Sequence, residues 1–592
     1  MSTGNFQDRT QERPKDGSRD GFHNVSRRDF LKGSGALVLG FSLSGFSKAM
    51  PPDGTIVLGT NAGDGGGHHL NAWIRIGEDG IATLRMGGSE MGQGIFTSLP
   101  MILAEELDIA WEDVRVETSP AGKDYTRVST YFPGRVQMTG GSDSIRGYWA
   151  ILREAGATAR AMLVETAAKR WRVKPGDCTT DAGVVTCGEH SASYGELVAD
   201  AARRSPPKGI EPKDPSQFKL LGTSPPRVDI PPKTDGTATF GIDVKVDGMV
   251  HATIRACPHF GGSLVDFDPA PALAVNGVTD VFALDDAVVV VADSFWHAKK
   301  GSLALKPEWD MGEGAGLDNA EITKRMQAGI DDGGVKVWSE GASPEGMTLD
   351  ATYEVPYLDH APLEPMNATA WVQPDRVDVW TPTQMQGRNR ATAARLTGLS
   401  KSKVFIHTTL LGGGFGRRGY GDFTDQAVRI SMQVGKPVKL IWTREETFAH
   451  GHYRPACLCR MRATLGPDGA ITDFHTQMAG QNIMTGVLPE GLMGLRVISE
   501  VVTEGLTEPP YAIERQRVDY ARTRTPVPVG WWRSVHGSYN GFFRESFIDE
   551  CAHAAGRDPI EYRRALLANN PRFLACFDTA VNNAPQLPPG QH

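Results

Sequence analysis

The sequence predicts an α+β protein built from several domains, and three observations lead there. Its 592 residues, 40% of them apolar, exceed what one core holds at about 150 residues per domain. Strictly alternating apolar segments and segments with helical periodicity both occur along the chain. The 68 glycines and 38 prolines are scattered among apolar runs, so they mark many tight turns instead of a low-complexity tract.

Composition excludes some functions. A formal charge of -8 gives no basic field for a phosphate backbone, so nucleic acid is excluded as a partner. The seven cysteines include no C-x-x-C and no Cys/His zinc pattern, so no iron–sulfur cluster is expected in this chain. Cys457 and Cys459 have the spacing of two neighbours on one strand face and are read as core.

Residues 1–49 read as a twin-arginine export signal. Polar residues lead into Ser26-Arg27-Arg28-Asp29-Phe30-Leu31-Lys32, an apolar stretch from Gly33 to Phe46 and the small-residue end Ser47-Lys48-Ala49. The apolar stretch is too short to span a bilayer. Export by this route carries folded proteins, which places a cofactor protein in the periplasm or on the periplasmic face of the cytoplasmic membrane.

A first unit is expected over residues 60–204. It holds a hairpin of Asn71 to Ile76 and Ile81 to Met86, a helix from Thr97 to Leu107, a strand from Val114 to Glu117 and a long helix from Ser144 to Trp171. The proline-rich stretch 205–233 reads as a linker, and 235–311 as a small separate domain with a helix near Trp296 to Leu305. Residues 345–592 form the main unit, clearest in strand Val404 to Leu411, a glycine-rich turn, helix Asp422 to Val434 and strand Val438 to Trp442.

Four strings carry the candidate chemistry. In Leu411-Gly412-Gly413-Gly414-Phe415-Gly416-Arg417-Arg418 bare backbone suits an anion and two arginines add charge, though a sharp strand-to-helix turn explains the glycines equally well. It has neither the P-loop lysine nor the dinucleotide glycine spacing. Gly87-Gly88-Ser89-Glu90-Met91-Gly92-Gln93-Gly94 leaves Gln93 free to donate and accept. Thr139-Gly140-Gly141-Ser142-Asp143-Ser144 opens the long helix, where an ordinary cap by Ser142 or Asp143 is favoured. In Trp531-Trp532-Arg533-Ser534, Arg533 either binds an anion or pairs with a carboxylate. His450 and His452 lack a third ligand nearby in sequence and read as surface or core residues. With no G-x-S-x-G and no H-E-x-x-H, the chemistry must come from a bound group.

Taken together, GSEMGQGIFTSLPMILAEELD, QMTGGSDSIRGYW, TDGTATFGIDVKVDGMVHA, YLDHAPLEPMNATA, LLGGGFGRR, PVKLIWTREE and WWRSVHGSYNGFFRESFIDE resemble the molybdopterin-binding subunit of the xanthine dehydrogenase family. The order of the strings follows the isoquinoline oxidoreductase and exported aldehyde dehydrogenase branch. The resemblance implies a multidomain molybdenum-cofactor-binding region with a small α/β hammerhead-like domain at 235–311. It implies molybdopterin, in the cytosine dinucleotide form, with Gly413, Gly414, Phe415 and Gly416 beside the molybdenum and pterin. Gln93 with Gly140, Gly141, Ser142 and Asp143 would hold the pyrophosphate, and Arg533 would stand near the metal's oxo ligands. It further implies hydroxylation of aldehydes or N-heteroaromatic rings with oxygen from water. Electrons would pass to a small subunit carrying two-iron two-sulfur clusters and on to a membrane c-type cytochrome. Two departures matter. Leu358 stands where the xanthine type has glutamine, and no Gly-Glu-Pro-Gly segment with its catalytic glutamate occurs, so a truncated chain is expected: either a hydroxylase subunit whose final segment comes from a separate chain or is missing from this sequence, or a non-catalytic remnant or cofactor-binding and assembly protein.

Overall fold

A sheet of five strands opens the described part of the chain, ordered Val57–Leu58, Val114–Thr118, Ala82–Met86, Ile74–Ile76, His68–His69. The computed structural model describes residues 57–58, 68–129, 134–486, 501–507 and 509–585, all within one compact unit of residues 51–592. The twin-arginine string and the last seven residues lie outside the described residues.

The expected hairpin is present, with Ile74 opposite Leu84. Helix Ile95–Leu107 ends where Asp108 turns left-handed at φ 60°, and helix Ser144–Trp171 ends the same way at Arg172. The long helix buries Tyr148, Leu152, Ala155, Ala159, Met162, Leu163 and Ala167, a stripe three and four residues apart. Gly156 lets the two helices touch, because a Cβ there would meet the Leu103 carbonyl oxygen at 2.6 Å. Burying Leu99, Leu103, Leu152 and Leu163 contributes about 1.5–3 kcal/mol each.

Cys178 and Cys187 form a disulfide across the hairpin Thr179–Asp181 and Val184–Cys187. Sequence reading does not pair them. The available signal is their placement one step outside the Thr179 and Thr186 pair, flanking the turn at Ala182 and Gly183. Cys457 and Cys459 are both buried on strand Cys457–Leu465, as expected.

The stretch 205–233 is no loose linker. Buried Glu105 accepts from the backbone N–H of Lys219, Leu220 and Leu221, and Glu106 from that of Lys213. Lys213 Nζ reaches Glu105 and Asp108 at 3.1 and 2.8 Å. Burial opposes charge on Glu105, yet these N–H donors and Lys213 hold its carboxyl below the usual range. Acidic residues on a helix end therefore tie down a segment whose composition shows no periodicity.

Nor do the strands of 235–311 stand apart. Val278–Leu284, Ala287–Ala292 and Val250–Ala256 continue through Val438–Ile441, Asn367–Val372, Val377–Thr381 and Val404–Thr408 as one seven-stranded sheet. The seam is the parallel pair Val250 and Val438. Hydrogen bonding between far-apart strands leaves no local sequence mark. A second five-stranded sheet, Val335–Glu340, Arg515–Arg522, Ile471–Gly480, Cys457–Leu465, Leu349–Val355, begins before residue 345 and packs on helix Gly537–Ala554.

Candidate cofactor site

The three glycine-rich turns meet at a short polar segment between strand Val377–Thr381 and helix Gln386–Thr397. Gln384 accepts from Thr139 N–H at 2.8 Å through its carbonyl, and its Nε2 donates to the Thr139 carbonyl at 2.9 Å. On its other side, its N–H donates to the Arg418 carbonyl at 3.0 Å, and Oε1 accepts from Gly416 N–H at 3.1 Å. Ser89 completes the junction, with its N–H on Thr139 Oγ1, its hydroxyl on the Thr383 carbonyl and Gln386 Nε2 donating to it. Leu411 N–H reaches the Glu90 carbonyl at 3.1 Å. Sequence reading misses Gln384 and Ser89. For Gln384 the mark is a mostly polar stretch after a strand, Thr383-Gln384-Met385-Gln386, which any loop can show.

In the 411–418 turn the glycines serve two ends. Gly414 admits Gln384 and Met91, each 2.8 Å from where a Cβ would lie, and Gly416, at φ 112°, lies against the Trp531 carbonyl oxygen, 1.6 Å from that position. Gly413 at φ 95° and Phe415 at φ 54° are left-handed on either side of Gly414, the alternation that turns successive N–H groups to one side. Among the described residues no hydrogen bond is made by the N–H groups of Gly413, Gly414 and Phe415. The arginines do not face outward as extra charge. Arg417 pairs with Asp422, and Arg418, wholly buried, pairs with Glu364 at 3.0 Å and donates to the Gly413 carbonyl at 2.8 Å. Burial lowers Arg418 to about 10, so it stays a cation at neutral pH.

The 139–144 turn is built alike. Gly141 and Ser142 are left-handed at φ 67° and 54° and exposed, and the N–H groups of Gly140, Gly141 and Ser142 make no hydrogen bond among the described residues. Asp143 takes the N-cap position without a side-chain cap bond. Its buried carboxylate pairs with Arg127 at 3.3 Å and Arg146 at 3.0 Å, so the cap expected here gives way to ion pairs.

The 87–94 turn differs. Its buried Glu90 carboxylate accepts from the N–H groups of Gly92, Gly94 and Phe96, at 2.7, 3.2 and 3.0 Å. Gln93, expected to be free, folds back, with Oε1 on Met91 N–H and Nε2 on the Ser89 carbonyl, both 2.8 Å.

Arg533 is exposed in a turn whose Ser534 and Val535 have φ 64° and 46°. A β-branched residue in that region is strained. Trp531, two residues before, donates its N–H to Tyr420 Oη at 3.1 Å, and its carbonyl accepts from His360 Nε2 at 2.7 Å. A carbonyl can only accept, so Nε2 carries the proton, and burial lowers His360 to about 3, keeping it neutral. Of nine non-glycine residues with positive φ among the described residues, five lie in these converging segments: Ser142, Ala361, Phe415, Ser534 and Val535. Strain concentrated there fits a site and not a passive hinge. His450 and His452 are taken up by Glu446 and by stacking on Tyr420, and among the described residues no cluster of possible metal ligands occurs. Two clefts of about 540 and 580 Å³ lie elsewhere, around Arg160 and Lys213 and around Gln481 and Thr525, and no residue of the three turns lines either.

Comparison with known proteins bears on this geometry. The model of the molybdopterin cofactor-binding domain matches residues 37–247, and a second model of the same description matches 327–567. The chain is 30% identical to the beta subunit of isoquinoline 1-oxidoreductase from Brevundimonas diminuta, over 86% of this chain and 72% of that one. It is 30% identical to a membrane-bound aldehyde dehydrogenase of Gluconacetobacter polyoxogenes, whose name carries pyrroloquinoline quinone, over 96% and 76%. To a nicotinate dehydrogenase chain of Pseudomonas putida it is 28% identical over 95% of this chain, which spans 47% of that relative. The three turns fall inside the two matched stretches. The chain belongs to the xanthine dehydrogenase family, among its molybdopterin-binding subunits.

Proposed function

We propose that this chain is the cofactor-binding subunit of a molybdenum-dependent hydroxylase that oxidises aldehydes or N-heteroaromatic compounds with oxygen from water. The observation that carries the reading is the junction of the 139–144 and 411–418 turns at Gln384, each with three successive backbone N–H groups unspent among the described residues. That donor set fits molybdopterin. Its phosphates are anionic, backbone amides are suited to them, and the carboxylates nearest the turns, Asp143 and Glu364, are each neutralised by arginine. A dinucleotide form would extend along Gly140 to Asp143, and the cytosine base is our expectation.

When bound, the cofactor supplies the two-electron oxidation and the oxygen transfer, with the metal carried on its own dithiolene sulfurs. The protein's part is to bind and orient. Gly413 to Gly416 would hold the group by their backbone, with Phe415 beside it, and Arg533 would bring a guanidinium to the adjoining turn. Glu364 is no proton acceptor, because its two oxygens already accept from Ile242, Asn367, Gly412 and Arg418. Phe415 is exposed on the turn itself, so an apolar substrate face suits it.

Electrons leave to a separate iron–sulfur subunit and, in our reading, on to a membrane c-type cytochrome. Export to the periplasm is supported by the twin-arginine string and by the Cys178 and Cys187 disulfide, a bond suited to an oxidising compartment. The test is metal and nucleotide analysis of the purified chain, followed by turnover of aldehydes and N-heteroaromatic compounds with an artificial electron acceptor. We expect molybdenum, a cytosine nucleotide on acid release, and turnover of aldehydes or N-heteroaromatic compounds. A folded chain without molybdenum would overturn the reading.

A further inference from the structure

We infer that Arg127 and Arg418 are a matched pair of positioning residues, which bind the carbonyl side of the two turns so that the N–H side is left facing a ligand. The inference rests on the proposed function only for the identity of that ligand.

Both guanidiniums are fully buried, so neither can be the ligand's own cation. Arg127 donates to the carbonyls of Val128, Met138 and Gly140, at 3.2, 3.4 and 3.0 Å, and to Asp143. Arg418 donates to the carbonyls of Gly413 and Glu364, both at 2.8 Å, and to the Glu364 carboxylate. Each turn thus combines one buried arginine, one buried carboxylate that balances it, inward carbonyls and three unspent N–H groups. A peptide plane has two ends, and fixing the C=O end inward constrains where the neighbouring N–H groups can point. A planar fork can hold several oxygens at once, whereas an ammonium offers a single point of charge.

The sequence makes room for this. Gly147 lies in the first turn of helix Ser144–Trp171, where glycine costs about 1 kcal/mol against alanine. A Cβ at Gly147 would lie 2.6 Å from Arg127 Cδ. That glycine is explained by the arginine stem lying against the helix.

The test compares wild type with Arg127→Lys, Arg418→Lys and Gly147→Ala in the full chain freed of cofactor, with inorganic pyrophosphate as probe. Two readouts are taken: protection of amides 140–142 and 413–415 from hydrogen exchange, and the unfolding midpoint without ligand. We expect pyrophosphate to protect both segments in wild type. Arg127→Lys should weaken that protection about tenfold at 140–142 and Arg418→Lys about tenfold at 413–415, with little change in midpoint. Gly147→Ala leaves every charge in place and should reproduce the effect at 140–142, which keeps the claim testable if a lysine variant does not fold. Unchanged protection in the variants, absence of protection in wild type, or a loss at both segments that tracks the midpoint would each overturn the inference. Wild-type protein without molybdenum that still shows the selective pattern would instead count against the proposed function alone.

Discussion

The turns over residues 87–94 and 411–418 each carry four glycines, and each lies beside a buried carboxylate. In the first, Glu90 belongs to the turn itself and takes two of its N–H groups, those of Gly92 and Gly94, and that of Phe96 in the helix that follows. In the second, Glu364 comes from 48 residues away and takes only Gly412 N–H before meeting Arg418. Glycine content bares the backbone in both, but Glu90 spends its carboxylate on backbone N–H groups at the helix start, whereas Glu364, already paired with Arg418, leaves those of Gly413, Gly414 and Phe415 without a hydrogen bond among the described residues. Substitutions in the two turns should therefore behave differently, with effects that run from severe in the second to slight in the first.

Gly416→Ala strikes the second turn hardest. Its Cβ would sit 1.6 Å from the Trp531 carbonyl oxygen at φ 112°, so a loss above about 4 kcal/mol is expected, read as insoluble protein. Soluble Gly416→Ala protein with wild-type melting would break the packing account. Glu364→Ala should cost about 3–5 kcal/mol in chemical denaturation, because it strands a buried guanidinium.

His360, which holds Trp531 against Gly416, has a folded value of about 3 against an ordinary value of 6.5. Above pH 6.5 it is neutral folded or unfolded and contributes no pH dependence. As pH falls from 6.5 toward 3 the unfolded chain takes up a proton that the folded one refuses, and stability drops by about 1.4 kcal/mol per pH unit for this residue. His360→Gln should flatten the slope of stability against pH by one proton in that window, and an unchanged slope would contradict the assignment. The smallest effect is expected in the first turn, where Glu90→Gln weakens a helix cap by about 1–2 kcal/mol and leaves cofactor content unaltered. Loss of cofactor in Glu90→Gln would erase the contrast.

How much of this is legible in the sequence follows the range of the interactions. Helix Ser144–Trp171 and helix Asp422–Val434 are readable residue by residue, since their periodicity is local. The glycine turns are readable as turns, but not which of their N–H groups stay unspent, because Glu364, Arg127 and Gln384 come from other segments. Gln93 reads as a free side chain, whereas a two-residue contact to Met91 N–H and a four-residue contact to Ser89 occupy it. The strands at 250–292 look self-contained because a seam such as Val250 and Val438 follows from tertiary pairing, which alternation along one strand cannot reveal.

The most direct test of the central claim is the molybdenum and pterin content of the folded chain, compared between wild type and Gly141→Val, which forces a β-branched residue into φ 67° within an exposed turn. Equimolar molybdenum and pterin are predicted in wild type, with loss of both from a Gly141→Val protein that still melts like the cofactor-free wild type. Full cofactor content in Gly141→Val, or none in well-folded wild type, would contradict it.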